Sequence, residues 1–312
     1  MYYIIYGSLY LVSLLPFYIL YGISDFAAFV LYKIAGYRKG IVLNNLLIAF
    51  PEKTEAERKK IAKAFYRNLV DTFIVSIKLL SISEKEFNKR ALVNLDECNA
   101  LAANGVNIQF QSGHQMNWEY VNWAVSKKLR IPFIGIYMKI TNESVDRIFF
   151  RLRKKYGTVL VSTGEFRTKM HKVFKEQYSI ALAADQNPWN PADSYWLYFF
   201  SKPAAFVTGP DKGARKNSSA LVFVKFVKIK RGYYSFEPTV ITANASAMKP
   251  GEITLIYRDF LEKTIREHPD NYLWSHRRWK VDYKEEYHKN WIDRIPAPSA
   301  GVEEISSQDH VA

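Results

Sequence analysis

The sequence has one cysteine among 312 residues, and this scarcity restricts the kinds of protein it can encode. Cys98 cannot form an internal disulfide, and a single thiol cannot build a cysteine-rich zinc site, so a disulfide scaffold and a zinc ribbon are both excluded. A single cysteine is also consistent with a reducing compartment. Because 48% of the residues are hydrophobic and 15% are aromatic, the chain can bury a large core, which excludes a mainly disordered protein.

Four short signatures of common enzyme classes are also missing. The chain has no G-x-S-x-G nucleophile elbow, no G-x-x-x-x-G-K-[ST] phosphate loop, no G-x-G-x-x-G dinucleotide fingerprint and no H-E-x-x-H zinc motif. Each motif supplies a geometry that its chemistry requires, such as a strained serine turn or a phosphate cradle. Their absence argues against the usual forms of a serine hydrolase, an NTPase, a dinucleotide enzyme and a zinc protease.

Residues 1–24 lack any charged side chain. In helical form this segment would extend about 36 Å at about 1.5 Å per residue, which is enough for a hydrocarbon core of about 30 Å. Its tyrosines lie near both ends, where the aromatic belts of membrane helices occur. We therefore predict a membrane anchor over residues 1–30, which either spans the bilayer or dips into it.

Other interpretations compete with a simple anchor. A cleaved signal peptide is disfavoured because no basic segment precedes the apolar stretch and no A-x-A-like site follows it. A buried helix of a soluble protein stays open, as does a monotopic hairpin formed with residues 26–35. Lys33, Arg38 and Lys39 follow the apolar stretch closely, and the positive-inside tendency then predicts that the rest of the chain faces the cytoplasm.

The remainder of the chain alternates between strand and helix patterns. Thr54 and Glu57 form a capping-box signature at the start of a long amphipathic helix over residues 54–80. The later alternation predicts βαβ crossovers and a mostly parallel mixed sheet flanked by helices, an α/β domain over residues 31–296. The small, polar residues 297–312 are predicted to be a disordered tail. The predicted strands are 106–111, 131–137, 158–162, 179–184 and an antiparallel pair, 220–229 with 233–241, and the predicted helices are 117–128, 142–155, 165–177 and 251–267.

One histidine follows a predicted strand at the position where open α/β sheets bind ligands. His114 lies in the segment GHQMNWE, residues 113–119, directly after the strand 106–111. If His114 lies in the turn and Glu119 in the first helical turn, the carboxylate can orient the imidazole, which then takes a proton from a hydroxyl. Gly113 would allow the tight bend before them. The structural alternative is a buried histidine beside a glutamate that stabilises the helix dipole.

The segment GHQMNWE resembles the H-x4-D/E block of glycerolipid-type acyltransferases, in the form found in the bacterial lipid A biosynthesis (lauroyl/myristoyl) acyltransferase family. Further blocks similar to those of that family occur in the same order over roughly residues 40–282. Several ordered blocks are far more specific than any one of them. They are Asn45-Leu46 with Phe50-Pro51 and Arg58, Asp146-Arg147 with Arg151, Arg153 and Gly157, Asp185-Gln186 with Phe199-Phe200, Pro203 and Thr208-Gly209-Pro210, Glu237-Pro238, and Trp274-Ser275-His276-Arg277-Arg278-Trp279.

The resemblance implies direct transfer of a fatty acyl chain from acyl carrier protein, or less readily from acyl-CoA, to a hydroxyl of a lipid A precursor as a secondary acylation. His114 would be the general base and Glu119 its partner. A covalent acyl-enzyme, a metal and any cofactor beyond the acyl co-substrate are not expected. The alternatives are an acyltransferase that acts on a lysophospholipid, an amino-acid lipid or a glycolipid, and a non-catalytic membrane protein that binds anionic lipid.

Four residues in the family-like blocks are candidates for substrate binding. Arg147 is the candidate for stabilising the oxyanion that forms on the thioester carbonyl, or for holding a phosphate of the acceptor. Asn117 would fix the acceptor or the loop, and Asp185 would position Arg147 or the acceptor hydroxyl. Arg277, which lies between two tryptophans in the sequence, either grips a phosphate or stacks on aromatic rings.

The formal net charge of +14 suits the partners that the resemblance implies. Acyl carrier protein is acidic, and both the glycolipid acceptor and the inner-leaflet lipids are anionic, so a basic face beside the membrane favours all three encounters. Nucleic acid is not an expected partner, because no nucleic-acid-binding motif accompanies the charge. Together with the apolar N-terminal segment, these features predict a protein of the bacterial inner membrane whose catalytic domain faces the cytoplasm.

Overall fold

A computed structural model describes residues 1–166, 168 and 176–298. Most of the predicted helix 165–177, and the predicted tail from residue 299 on, lie outside the described residues. The helices are α1 (Tyr2–Leu14), α2 (Phe17–Phe29), α3 (Lys39–Ala49), α4 (Glu55–Lys78), α5 (Glu84–Arg90), α6 (Asp96–Ala103), α7 (Trp118–Lys128), α8 (Glu143–Arg153), α9 (Gly209–Lys216) and α10 (Glu252–Glu267). The strands are β1 (Ala91–Val93), β2 (Ile108–Ser112), β3 (Phe133–Tyr137), β4 (Val159–Ser162), β5 (Ser179–Ala183), β6 (Tyr195–Phe199), β7 (Lys202–Phe206), β8 (Ala220–Lys230) and β9 (Tyr233–Thr242).

In the described part of the chain, seven strands form one sheet in the order β1-β9-β8-β2-β5-β3-β4. β8 and β9 are antiparallel, and the other neighbouring strands are parallel. β6 and β7 form a separate antiparallel hairpin. This architecture confirms the predicted α/β fold with a mostly parallel mixed sheet. The short β1 and the β6–β7 hairpin are additions that the strand patterns did not predict.

Both faces of the sheet are covered by buried apolar side chains. Alternate residues of β8 belong to different clusters, with Leu221 and Phe223 in one and Val222 and Val224 in the other. This alternation follows from the strand period of two, which sends successive side chains to opposite faces. A sheet buried on both faces reads as a continuous apolar run, as the β8 sequence ALVFVKFV does.

Parallel pairing of β2 with β5 creates the edge at which the candidate site lies. Ser112 pairs with Ala183 at the carboxyl ends of the two strands. The chain leaves both strands on the same side of the sheet, which is where open α/β folds bind ligands. The residues two positions further on, His114 and Asp185, are therefore brought together.

Pro16 divides the apolar N-terminal segment into α1 and α2, because proline has no backbone N–H and its ring clashes with the preceding helical turn. The break leaves carbonyl oxygens without helical partners. Lys78 Nζ of α4 donates to the carbonyls of Ser13 (2.7 Å) and Leu15 (2.9 Å). The free carbonyl groups are thus satisfied by a residue of the α/β domain, and α1 is fixed against the end of α4.

The stretch that is long and apolar enough to cross a membrane, judged by length and composition alone, is Phe17–Ile34. It comprises α2 and the π-helical turn Val30–Ile34 that continues it. Only 22% of the stretch is buried within the protein. The predicted apolar N-terminal helix is therefore present, although the single helix predicted over residues 1–24 is wrong because Pro16 interrupts it.

An ion-pair network joins α2 to the rest of the fold. Arg231, in the turn between β8 and β9, lies 2.7 Å from Asp71 of α4 and 2.9 Å from Asp25 of α2. Ser24 Oγ donates to the same Asp71 carboxylate (2.6 Å). Asp71 is 1% exposed, whereas Arg231 and Asp25 are more accessible. The buried carboxylate therefore depends on Arg231 for its counter-charge.

Candidate active site

His114 and Asp185 form a hydrogen-bonded pair at the carboxyl edge of the sheet. His114 Nδ1 lies 2.6 Å from Asp185 Oδ1, and the backbone N–H of His114 donates to Oδ2 of the same carboxylate (2.9 Å). The Asp185 side chain is 1% exposed, whereas that of His114 is 28% exposed. Because Nδ1 is held by the buried carboxylate, Nε2 is the imidazole nitrogen that a substrate can reach.

The electrostatics of the pair suit a base and its orienting group. Burial lowers the pKa of His114, but the charge of Asp185 and the hydrogen bond to it outweigh burial and raise that pKa above its usual value. Burial raises the pKa of Asp185, yet the charge and hydrogen bonds of His114, with a hydrogen bond from the Tyr272 hydroxyl, lower it to about 2. Asp185 is therefore ionised at neutral pH and can stabilise the imidazolium that forms when His114 takes a proton.

The turn that carries His114 is fixed by close packing and by its neighbours. A Cβ on Gly113 would lie 2.4 Å from Leu261 Cδ1 of α10, so the space admits glycine alone unless the leucine moves. Asn117 has a left-handed backbone, with φ of 75°, a conformation that asparagine tolerates better than most residues. The N–H of Leu273 donates to the carbonyl of His114 (3.0 Å). These contacts set the direction in which the imidazole leaves the strand.

Glu119 makes no hydrogen bond or ion pair with His114 and binds Arg153 of α8 instead. Arg153 Nε lies 2.9 Å and 3.1 Å from the two carboxylate oxygens, and Nη2 lies 2.5 Å from Oε1. Glu119 is 1% exposed, and the bidentate guanidinium of Arg153 supplies the counter-charge that a buried carboxylate needs. The predicted orientation of His114 by Glu119 is therefore wrong in this structure, and Asp185, predicted to serve the substrate, takes that position. A catalytic requirement for Glu119 stays a prediction.

The other predicted substrate residues lie in three different environments. Asn117 is 2% exposed, in the turn before α7. Arg147 is exposed on α8, and its guanidinium lies 4.5 Å from the centroid of the Tyr2 ring in α1. Arg277 is exposed, and its carbonyl accepts a hydrogen bond from Asn187 Nδ2 (2.5 Å). The contact that the structure gives Arg147 is thus to the N-terminal helix, and the substrate-binding roles of all three residues stay predictions.

Residues 274–279 cover the loop that follows Asp185, and they bring a second histidine to the site. The N–H of Asn187 donates to His276 Nε2 (3.3 Å), and Arg278 Nη1 donates to Asn187 Oδ1 (3.2 Å). Burial, together with the charge of Arg278, lowers the pKa of His276 to about 4. His276 is therefore neutral at physiological pH, and since Nε2 accepts, Nδ1 carries the proton and can donate. His276 is not among the residues that the sequence predicts for the site, although it lies in the W-S-H-R-R-W block from which Arg277 is predicted.

A cavity of about 450 Å³ adjoins this cluster. One wall includes Gln186, which follows Asp185, and His276. The opposite wall is formed by the N-terminal segment and α4, with Leu31 and Phe73 among its apolar side chains. Arg38, Leu69 and Trp118 complete much of the remaining lining. His114 and Asp185 are not among the lining residues, but Gln186 follows Asp185 and the N–H of Leu273 donates to the carbonyl of His114, so the cavity lies next to the pair. A cavity of this size with polar and apolar lining residues is typical of small-ligand sites.

Comparison with known proteins decides the family. The sequence model for bacterial lipid A biosynthesis acyltransferases matches residues 1–281. The chain belongs to this family. It is 24% identical over 250 residues to the lipid A biosynthesis palmitoleoyltransferase of Escherichia coli strain K12 and, equally, to the lipid A biosynthesis acyltransferase of Shigella flexneri, with 78% of this chain and 79% of each relative covered.

Membership of the lipid A biosynthesis acyltransferase family confirms the resemblance drawn from the ordered sequence blocks. The match includes the N-terminal helices as well as the α/β domain. This lipid A acyltransferase is therefore an enzyme, which removes the alternative of a non-catalytic lipid-binding protein. Its cavity and its His114–Asp185 pair are the features from which a mechanism can be built.

Proposed function

We propose that this lipid A biosynthesis acyltransferase adds a secondary acyl chain to a lipid A precursor, with acyl carrier protein as the donor. His114 is the general base, and Asp185 orients it. The observation that carries the proposal is the His114–Asp185 pair next to a cavity that Gln186, which follows Asp185, and His276 line together with Leu31 of the apolar N-terminal segment. Such a site suits a fatty chain lying next to a reacting hydroxyl.

The acyl group passes directly from the thioester to the acceptor hydroxyl, and His114 accepts one proton and later donates it. His114 Nε2 takes the proton of the acceptor hydroxyl as its oxygen attacks the thioester carbonyl. The tetrahedral intermediate then collapses, the C–S bond breaks, and the imidazolium gives its proton to the departing thiolate. An ester and a free thiol result, and no covalent acyl-enzyme forms. The buried Asp185 carboxylate holds the tautomer in which Nδ1 is protonated throughout.

The oxyanion of the intermediate needs a hydrogen-bond donor already in place. His276 lines the cavity beside the loop that follows Asp185. As a neutral imidazole with its proton on Nδ1, it can donate a hydrogen bond without repelling the imidazolium of His114. This role replaces the one that the sequence suggested for Arg147, whose guanidinium lies over Tyr2.

The enzyme acts at the bacterial inner membrane with its catalytic domain on the cytoplasmic side. Phe17–Ile34 provides the apolar stretch, and Arg38 and Lys39 follow it closely. An anionic glycolipid acceptor would approach from the bilayer, and acidic acyl carrier protein from the cytoplasm. A net charge of +14 favours both encounters.

Acyl transfer by the purified full chain tests the proposal. The enzyme is incubated with a lipid A precursor and either acyl carrier protein or CoA carrying the same acyl group, and the lipid product is identified by mass spectrometry. We expect one additional acyl ester, formed faster from acyl carrier protein. His114→Ala should lower the rate about 10²–10⁴-fold, the usual contribution of a general base. His288→Ala, which removes an exposed histidine, is the matched control.

Two results would contradict the proposal. Acylation of a lysophospholipid in place of the lipid A precursor would overturn the acceptor. Equal rates for the His114→Ala and His288→Ala variants would overturn the general base.

A further inference from the structure

A second cavity of about 450 Å³ lies between α1 and the catalytic domain. Three tyrosines of α1, the end of α4, and side chains of α7 and α8 line it. The two cavities share no lining residue, so this cavity is separate from the one next to the catalytic pair. Its lining includes Tyr2, Leu80, Ile148, Arg151, Leu152 and Lys155.

The floor of the second cavity is apolar. Ile148 and Leu152 are buried on one face of α8, and Leu80 lies opposite them just beyond α4. An apolar space of this size can accept part of a hydrocarbon chain. These apolar residues alone do not identify a ligand, because any hydrophobic group could fill the cavity.

The cations at this cavity narrow the choice of ligand, because Arg151 and Lys155 line it and Arg147 lies one turn before Arg151 on α8. Arg147, Arg151 and Lys155 follow one another at intervals of four residues, so they lie in a row along one side of α8 and the turn after it. All three are exposed. None of them forms an ion pair with a carboxylate of the described residues. Three uncompensated cations beside an apolar space are complementary to a ligand with an anionic head and a hydrocarbon tail.

Tyr2 of α1 contacts two of these three cations. Arg147 and Arg151 lie 4.5 Å and 5.4 Å from the centroid of the Tyr2 ring, and Arg151 Nη1 donates to the Tyr2 hydroxyl (3.0 Å). On its outer side α1 exposes apolar residues such as Ile4 (75%) and Leu11 (67%), which suits contact with lipid. The basic row therefore lies where the exposed apolar helix α1 meets the α/β domain, an arrangement that would bring its cations near the phosphates of a bilayer that α1 contacts.

We propose that this cavity binds one anionic phospholipid of the bilayer, with its phosphate at Arg151 and Lys155 and part of one acyl chain between α1 and α8. The proposal rests on the membrane association stated under the proposed function. It concerns a lipid that is neither donor nor acceptor in the reaction. Its role is to fix α1 to the catalytic domain. Acyl carrier protein, which is also acidic, is the less suitable occupant, because a protein surface would leave the apolar cavity under α1 unfilled.

Native mass spectrometry of the full chain, released from nanodiscs, tests this site. The nanodiscs contain equal amounts of dioleoyl phosphatidylglycerol and dioleoyl phosphatidylcholine, which share their acyl chains and differ in head-group charge. We expect one retained phosphatidylglycerol per chain. Replacing Arg147, Arg151 and Lys155 with glutamine should lower its retention roughly fivefold per cation, the effect of one basic residue near an anionic membrane surface.

Matched controls distinguish an effect on lipid binding at this cavity from an effect of net charge and from an effect on acyl transfer. The variant K212Q/K216Q/K263Q removes three exposed cations from α9 and α10 and should retain the lipid as the wild type does. Leu80→Trp fills the cavity and should lower retention of phosphatidylglycerol, whereas Ile229→Trp, at an exposed position, should not. His114→Ala should retain the lipid while losing acyl transfer, so failure of this proposal and failure of the catalytic one give different results.

Three outcomes would overturn the lipid site. They are equal retention of the two phospholipids by the wild type, equal retention by the two triple variants, and, when binding of acyl carrier protein is measured alongside, its loss in R147Q/R151Q/K155Q with lipid retention unchanged. Thermal unfolding of each variant identifies any that fails to fold. If the triple variant fails to fold, lipid retention by the single variants Arg151→Gln and Lys155→Gln is compared with that of the wild type.

Discussion

His114 and Asp185 are 71 residues apart in the sequence, yet Nδ1 of the one lies 2.6 Å from Oδ1 of the other. Each follows its strand by two positions, and the strands pair in parallel with Ser112 opposite Ala183. The catalytic pair is therefore a consequence of strand register. Any change that keeps the register but alters one member of the pair tests the chemistry without altering the fold.

Replacement of Asp185 by asparagine should change both the rate and its pH dependence. The wild-type rate should fall as the pH drops through the pKa of His114, which Asp185 holds above its usual value, because the protonated imidazole cannot act as a base. Without the negative charge, burial alone lowers that pKa, so the acid limb of kcat/KM should move to lower pH. The maximal rate should fall by about 10²–10⁴-fold, because an amide does not stabilise the imidazolium. An acid limb that stays in place would show that Asp185 does not act on His114.

Glu119→Gln provides the comparison that separates the two carboxylates. Glu119 pairs with Arg153 and does not contact His114, so its replacement should lower stability and leave the acid limb of the profile unchanged. Arg153→Met should be worse for stability, since it leaves a buried carboxylate unpaired, at a cost of about 3–5 kcal/mol. Denaturant unfolding and pH profiles of both variants check this. An acid limb that shifts in Glu119→Gln as it does in Asp185→Asn would restore the pairing that the sequence suggested.

The contrast between these two carboxylates shows which part of the site local sequence can predict. The strand patterns over residues 106–111 and 179–184 predict both strands, and the sequence places both His114 and Asp185 in the site. The pairing of His114 with Asp185 is not predictable from local sequence, because β2 lies next to β5 in space although β3 and β4 intervene in the chain. Glu119 was chosen because it is near in sequence, whereas its actual partner, Arg153, comes from α8 and competes successfully for a buried carboxylate.

The N-terminal segment shows the same limit in a different form. An uncharged run of 24 residues predicts one helix long enough to reach across a bilayer. In the structure proline has its usual effect on a helix, and Pro16 interrupts the segment after α1. The carbonyls exposed by the break are satisfied by Lys78, a residue of α4 that the N-terminal sequence could not reveal.

His276→Ala should lower acyl transfer with little change in the acid limb. If its Nδ1–H donates to the oxyanion, its loss should reduce kcat about 10²–10³-fold, the usual effect of removing one such donor. His276→Gln keeps an N–H donor and should recover part of the rate. Steady-state kinetics with acyl carrier protein as donor give the result. Equal rates for the alanine and glutamine variants, both close to wild type, would exclude His276 from the reaction.

Arg231→Met should weaken the attachment of α2 to the catalytic domain. Asp71 is 1% exposed and lies 2.7 Å from Arg231, so removing the guanidinium leaves a buried carboxylate with Ser24 as its remaining hydrogen-bond donor. We expect a loss of about 3–5 kcal/mol in the free energy of unfolding. Arg67→Met is the matched control, because Arg67 pairs with Asp25 while its side chain is 53% exposed, and an exposed pair contributes about 0–1 kcal/mol. Denaturant unfolding in detergent measures both variants, and limited proteolysis should cut near α2 first in Arg231→Met. Equal losses in the two variants would mean that Asp71 finds another counter-charge when Arg231 is absent.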